Sequence, residues 1–250
     1  GANNEYFTFV FRPLALLGTE ESSVRYQAEL TNAVLRAGGR TSIFANERGG
    51  RYLWEFETGT TLDTDAPRIA AVYPSPGERI ARNSIIQIHF DEPIRPNAIT
   101  GLAQNPAFVN IIYGDVNVRG AWRVANSYQT VEFIPEEPCG ANSCGDPMFC
   151  LSLTCPDGEP NCTSQPYQIL VRTGALLSPG GANFEAIPFS GVVDMADNAL
   201  DGDSDGTPDG KPAMPGDTFA RIGSTANPPN EDQPDNYLWR FIVENRIDRT

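Results

Sequence analysis

The sequence predicts an all-β protein of the β-sandwich type, on the evidence of short strand-like runs, frequent turn residues and an internal repeat. The 250 residues include 23 Gly and 21 Pro, which places turn signals between most of the apolar runs. Only Leu30–Ala37 has a helical pattern, and Gly38 and Gly39 end it after eight residues. Seven runs alternate β-branched or aromatic residues with polar ones: Glu5–Phe11, Val24–Leu30, Tyr52–Phe56, Ile85–Phe90, Gln129–Ile134, Tyr167–Arg172 and Tyr237–Val243.

The internal repeat predicts two related sandwich units in tandem. Its clearest part is the string Tyr-Leu-Trp-x-Phe, which starts at Tyr52 and again at Tyr237. Two further pairs match in the same order along the chain: Tyr26-Gln27 with Tyr167-Gln168, and Phe9–Pro13 with Val131–Pro135. Three ordered matches are more than β-rich composition alone explains.

The two copies are unequal, because only the second has a leading half, 66–100, before its matching strands. We therefore expect residues 1–59 to be a partial unit, equivalent to the C-terminal half of a sandwich domain. A polar linker, 60–66, precedes a complete domain at 67–243 and a tail at 244–250. Three stretches interrupt the shared strands of the second unit and are expected to be insertions: 101–120, the Cys-rich 138–165 and the acidic 191–235.

A half-unit would leave the apolar face of its strands without a covering sheet. The residues expected on that face are Phe7, Phe9, Phe11, Tyr26, Leu30, Trp54 and Phe56. Three arrangements would complete it: a strand added by a neighbouring subunit, a preceding segment of a longer chain, or direct packing on the second domain. A head-to-tail contact of the first kind would propagate as a filament.

Several strings resemble the bacterial Ig-like domain family of S-layer and other cell-surface proteins. They are the opening Asp65-Ala66-Pro67, the turn Tyr73-Pro74-Ser75-Pro76-Gly77, the strand end Phe90–Ile94 and the closing Asp194–Leu200, in which Asp197 replaces the usual Gly. The resemblance covers about 65–243 and extends to 1–59 through the repeat. It implies Ig-like Greek-key β-sandwich modules that serve as a spacer, stalk or adhesive module without catalysis.

Composition narrows the function classes. The net charge of −14 disfavours nucleic-acid binding, because an acidic surface repels phosphate. The chain holds one His, His89, and one Lys, Lys211, so Ser-His, Cys-His and multi-His metal sites have almost no residues to use. The longest apolar runs are only a few residues, so no membrane span is expected. Trp54, Trp122 and Trp239 are expected to be core residues rather than a carbohydrate platform.

All five cysteines lie within 24 residues, at Cys139, Cys144, Cys150, Cys155 and Cys162. Their spacing lacks the paired CxxC pattern of zinc sites, so disulfides in an oxidising compartment are the favoured interpretation. We expect at least two disulfides and one odd thiol. The pattern leaves the connectivity open, with Cys155–Cys162 as the preferred pair because a turn-forming string separates them.

The acidic stretch contains the string Asp-x-Asp-x-Asp-Gly, which is typical of calcium-binding loops. Oxygen ligands at alternate positions let a short loop wrap the ion, and Gly206 permits the sharp turn. The Glu expected at position 12 is absent, and Asp217, Asp197 or Asp194 could supply the remaining carboxylate. The predicted ligands are Asp201, Asp203, Asp205, Thr207, Asp209 and Asp217, and the predicted cofactor is calcium. A solvated acidic loop is the alternative.

These features favour a secreted or cell-surface, non-enzymatic structural protein of bacterial type, part of a stalk, layer or filament. Its expected partners are copies of itself or neighbouring Ig-like domains, joined by strand addition or end-to-end packing. The alternatives are an adhesin or carbohydrate-binding module, and a spacer region of a larger secreted enzyme. Asp91 and Glu92 are adjacent on a strand and point to opposite faces, so they do not form a glycosidase pair.

Overall fold

The computed structural model describes residues 11, 17–36, 39–45, 49–100, 108–114, 116–153, 166–174, 191–202, 204 and 235–248. The chain divides into two compact units, Gly1–Asp63 and Thr64–Thr250. The boundary between them falls inside the polar segment 60–66.

The first unit contains an antiparallel pair of strands, β1 (Val24–Leu30) and β2 (Tyr52–Thr58). Both strands match runs that the sequence predicts. The helical pattern over Leu30–Ala37 does not form a helix at the residues described there: Thr31 begins a turn, and Leu35 forms a bridge with Ser42. An eight-residue helical pattern is too short to hold a helix by itself, so the pairing of β1 with β2 decides the local structure.

The second unit is a β-sandwich of two sheets. In chain order its strands are β3 (Ile69–Tyr73), β4 (Arg79–Ile80), β5 (Ile86–Phe90), β6 (Val109–Tyr113), β7 (Val116–Asn117), β8 (Gly120–Ala125), β9 (Thr130–Pro135), β10 (Pro138–Ala141), β11 (Pro147–Phe149), β12 (Tyr167–Val171) and β13 (Tyr237–Val243). One sheet has the order β3-β5-β9-β8 and the other β4-β13-β12-β6-β7, while β10 and β11 form a separate hairpin. A five-residue helix, α1 (Pro96–Thr100), and a 3-10 turn (Asn126–Tyr128) lie between strands. The predicted all-β sandwich is confirmed.

The hydrophobic core lies between these two sheets and follows the period of two expected for strands. In β5, Ile86, Ile88 and Phe90 point into the core, while the residues between them are only half-buried. In β13, Trp239 and Phe241 point into the same core from the opposite sheet. The alternation visible in the sequence therefore specifies which face of each strand is covered.

The stretches expected to be insertions contribute residues to this core. Residues 101–120 contain β6, which lies between β12 and β7 in the five-stranded sheet. Leu151 in the Cys-rich stretch is fully buried, and so are Val192 and Leu200 in the acidic stretch. These apolar runs are short and are flanked by Pro, Gly and Asp. Because such turn residues interrupt the alternating pattern, the runs are not predicted from sequence as strands of the core.

Candidate functional site: an exposed aromatic hairpin

The hairpin β1–β2 has the same register and the same ring geometry as the hairpin β12–β13. In the first, Tyr26 lies opposite Phe56, and in the second, Tyr167 lies opposite Phe241. The ring centroids are 5.4 Å apart in both pairs, with interplanar angles of 20° and 19°. The sequence repeat is therefore a structural repeat at the level of paired residues.

The two hairpins differ in how far their aromatic side chains are covered. Trp239 and Phe241 are 3% and 0% exposed, and the Trp239 indole Nε1 donates a hydrogen bond to the Pro74 carbonyl at 3.0 Å. The equivalent Trp54 and Phe56 are 40% and 38% exposed. Tyr52, at the start of β2, is 54% exposed. Residues that form a sandwich core in one copy thus lie at the surface in the other.

A third repeated position shows the same contrast. Phe133 of β9 is 2% exposed, whereas Phe11, which matches it in the repeat, is 82% exposed. In the second unit, β9 belongs to the sheet that covers β12 and β13. The residue that would correspond to part of a covering sheet is therefore itself exposed in the first unit.

The opposite face of the hairpin β1–β2 is polar and charged. Arg25 pairs with Glu57 at 3.7 Å across the strands, and Gln27 donates to Glu55 at 3.4 Å. The hairpin is thus amphipathic, with a solvated face and an aromatic face formed by Tyr26, Ala28, Leu30, Tyr52, Trp54 and Phe56. We call the latter the aromatic face.

Of the residues expected on the uncovered face of the half-unit, Phe11, Trp54 and Phe56 are exposed, whereas Tyr26 and Leu30 are half-buried. Phe7 and Phe9 lie outside the described residues. The expectation that all three tryptophans are core residues is confirmed for Trp239 and wrong for Trp54. Trp122 is half-buried, with its ring 5.0 Å from that of Phe133.

Of the predicted calcium ligands, the structure describes Asp201 alone; Asp203, Asp205, Thr207, Asp209 and Asp217 lie outside the described residues. Asp201 is fully buried, and its Oδ2 accepts a hydrogen bond from Arg68 Nε at 2.9 Å. A cation bound at Asp201 would have to share that carboxylate with the Arg68 guanidinium. Spacing along the sequence gave no sign of this ion pair, because its partners lie 133 positions apart.

Asp194, beside the predicted calcium loop, fixes the turn that leads into it. Its Oδ1 accepts hydrogen bonds from the backbone N–H groups of Ala196 and Asn198, at 2.8 and 2.7 Å. Asp197 has a φ of +77°, in the left-handed region that favours glycine. Its carboxylate bonds to the buried guanidinium of Arg95, an interaction that a glycine at this position would lack.

Carboxylate oxygens of Glu92 and Asp194 lie within 4.8 Å of each other. The backbone donors around Asp194 stabilise its charge, which favours a structural role for this carboxylate. We therefore interpret the pair as part of the loop's framework.

One disulfide joins Cys139 and Cys150 across the hairpin β10–β11, with a Cα–Cα distance of 5.8 Å, inside the usual range. Cys144, between these strands, is a free and exposed thiol. Cys155 and Cys162, the preferred pair in the sequence, lie outside the described residues, so the expected second disulfide stays a prediction.

A half-open cavity of about 400 Å³ lies beside this disulfide. Its lining combines apolar and charged side chains: Tyr113, Val116, Asn117, Val118, Arg119, Glu136, Glu137, Cys150 and Ser152. Tyr167 lies beneath this region, where its ring stacks on Tyr113 at 4.4 Å and its hydroxyl donates to the Ser152 carbonyl. Burial, and next the neighbouring Tyr113, raise the pKa of Tyr167 well above its ordinary value.

Comparison of the chain with protein-family models, with curated proteins and with solved structures gave no match. Among the described residues, no helix has both the length and the apolar character needed to cross a membrane.

Proposed function

We propose that this protein is a non-enzymatic extracellular structural protein, a building block of a bacterial surface stalk, layer or filament. Its two units are Ig-like modules in this proposal, as the sequence resemblance implies. The aromatic face of the first unit is the surface through which the block joins further β structure.

The observation that carries this proposal is the unequal exposure of the two repeated hairpins. Exposed apolar patches on a folded protein are typical of interaction surfaces, because burying aromatic area provides most of the association energy. Here the same residue pattern has a covered copy within the same chain. The uncovered copy is therefore best explained as a surface that is covered on assembly.

The disulfide and the predicted calcium ion are both compatible with an extracellular structural role. The Cys139–Cys150 disulfide is typical of proteins in oxidising compartments, which supports export. Calcium at the acidic loop would neutralise closely spaced carboxylates and order the segment, and it remains part of the proposal.

The proposal is tested by locating the protein on the cells that produce it, with immunogold electron microscopy. We expect label on an extracellular assembly in wild-type cells. A Trp54→Ser/Phe56→Ser variant should be exported in equal amount but should be missing from the assembly. As a matched control, Arg25→Ser/Gln27→Ser changes the polar face of the same hairpin and should be incorporated normally. Label inside the cells, or incorporation of the Trp54 variant, would contradict the proposal.

A second candidate function is an adhesin or carbohydrate-binding module. The exposed row Tyr52, Trp54 and Phe56 offers rings that sugars could stack on, and the cavity beside Tyr113 offers polar groups. Binding of oligosaccharides with loss on Trp54→Ser would favour it over the structural role. A spacer region of a larger secreted enzyme remains the third alternative.

A further inference from the structure

In the second unit, the hairpin β12–β13 packs against a covering sheet, and that sheet indicates what the aromatic face of β1–β2 would bind. The inference rests on the proposed function and extends it by naming the chemistry of the partner. We infer that the aromatic face binds a polypeptide partner that donates a β-segment with large aliphatic or aromatic residues at every second position. The model for that partner within the chain is the segment containing β3, β4 and β5.

The chemistry of the partner follows from what surrounds the buried copy. Trp239 and Phe241 share their core with Ile86, Ile88 and Phe90, which β5 presents at alternate positions. A strand that presents three branched or aromatic side chains at alternate positions on one face fills the spaces between the rings of the opposite sheet. A partner for Trp54 and Phe56 needs the same alternation.

The repeat also specifies where the partner would bond to the hairpin. In the second unit, β4 runs parallel to β13, with Arg79 opposite Ile242 and Ile80 opposite Val243. The positions equivalent to Ile242 and Val243 are Glu57 and Thr58, at the end of β2. We therefore expect the donated segment to pair there, and a carbonyl equivalent to that of Pro74 to accept the Trp54 indole N–H.

A second copy of this chain is a poor source for that segment. Its β5 is hydrogen-bonded on both edges, to β3 and to β9, and its inward side chains are buried. Donating β5 would require unfolding the second unit of that copy. A separate polypeptide segment with the same alternation carries no such cost.

A sugar is also disfavoured, because two hydroxyl groups beside the aromatic rings, those of Tyr26 and Thr58, already bond within the first unit. The Tyr26 hydroxyl accepts a hydrogen bond from Gly18 N at 2.8 Å, and the Thr58 hydroxyl donates to the Val24 carbonyl at 3.3 Å. Sugar recognition needs polar groups beside the stacking ring. The remaining neighbours, such as Ala28 and Leu30, suit an apolar polypeptide surface.

The test attaches a copy of the expected partner segment to the chain through a covalent linker. An added copy of residues 64–100 is joined by a flexible linker in front of residue 1 of the full chain. Acrylamide quenching of Trp54 is measured as the difference between each chain and its Trp54→Phe variant. We expect the added copy to lower Trp54 quenching severalfold, with sedimentation showing a monomer and with a new protected indole N–H signal.

A matched control carries Ile86→Asp and Ile88→Asp within the added copy only, and it should leave Trp54 as accessible as in the unextended chain. Equal quenching with both added copies would overturn the inference. So would protection of Trp54 in the unextended chain through dimerisation, or protection by cellohexaose. If the chain is incorporated into surface assemblies and the added copy still fails to protect Trp54, the inference falls while the proposed function stands.

Discussion

Trp54 and Trp239 occupy equivalent positions in the two hairpins. Making the same substitution at each position therefore measures how much a covering sheet contributes to the free energy of unfolding. Trp239→Ala removes a buried ring and its hydrogen bond to Pro74, and we expect it to lower the free energy of unfolding by about 3–5 kcal/mol. Trp54→Ala should change the main unfolding transition by less than about 0.5 kcal/mol, because its ring is exposed. Urea unfolding followed by circular dichroism checks both values. Equal losses would show that Trp54 is covered in the isolated chain.

A second prediction at this scale concerns alkaline stability. Burial raises the pKa of Tyr167 above its ordinary value of 10.0, so the folded state holds this proton more tightly than the unfolded state. The resulting stabilisation is fully present below pH 10 and is lost as pH rises through the raised pKa. Above pH 10, Tyr167 should lower the free energy of unfolding by up to about 1.4 kcal/mol per pH unit.

The measurement is urea unfolding between pH 8 and pH 11 in the wild type and in Tyr167→Phe. The variant should lose about 1 kcal/mol at pH 8, because it lacks the hydroxyl group that donates a hydrogen bond to the Ser152 carbonyl. Above pH 10, the free energy of unfolding should fall less steeply with pH in the variant than in the wild type. Burial also raises the pKa of Tyr237, so some decline should persist. Identical slopes in both proteins would contradict the assignment to Tyr167.

At the scale of elements, the disulfide Cys139–Cys150 should stabilise the hairpin β10–β11. It closes a loop with a sequence separation of 11, for which chain entropy predicts about 3 kcal/mol. Reduction should therefore lower the free energy of unfolding by up to that amount. Cys144→Ser, which leaves the disulfide intact, is the control and should have little effect. Alkylation of the native protein followed by mass spectrometry should label Cys144 and spare Cys139 and Cys150; labelling of all five cysteines would contradict any disulfide.

The acidic loop gives a second prediction at this scale. If Asp201–Asp209 binds calcium, millimolar calcium should raise the melting temperature and a chelator should lower it, since ligand binding to the folded state stabilises it. Asp203→Asn/Asp205→Asn should abolish the shift. Lys211→Gln alters the charge of the same stretch and should leave the shift in place. An unchanged melting temperature with no heat of binding in calorimetry would rule out the site.

The strands that were predictable from sequence are those whose residues alternate over five or more positions. β1, β5 and β13 belong to this group, because their side chains divide cleanly between core and solvent. β6 was missed because its string Val-Asn-Ile-Ile-Tyr lies among turn residues and reads as part of an insertion. Ion pairs such as Asp201–Arg68 were missed since no local spacing encodes a contact between distant positions.

For the candidate site, the sequence predicted the aromatic face through the repeat but placed Trp54 in a core. Pattern alone assigns a large aromatic residue to the interior, because that is where most such residues lie. Exposure depends on whether a second sheet is present, and this is a property of the fold rather than of the strand. Trp54 and Trp239 lie in strands with the same sequence pattern but differ in exposure. Comparing them therefore separates the effect of the strand's own pattern from the effect of a covering sheet.

At the scale of the whole molecule, the described residues form one sandwich with its own covering sheet and, in the first unit, a strand pair whose β2 rings are exposed. The chain's charge of −14 keeps isolated chains apart at neutral pH, while the aromatic face supplies an apolar contact that the charge does not block.

The central claim is that β2 is an uncovered copy of β13, and hydrogen exchange followed by mass spectrometry tests it most directly. In the purified monomer, amides of Tyr52–Thr58 should exchange on the order of 100-fold faster than those of Tyr237–Val243, because the second hairpin is held by a buried core. In assemblies isolated from the cell surface, the two strands should exchange at similar, slow rates. Equal protection of both strands in the monomer would contradict the account, and so would fast exchange of β2 in the assembly.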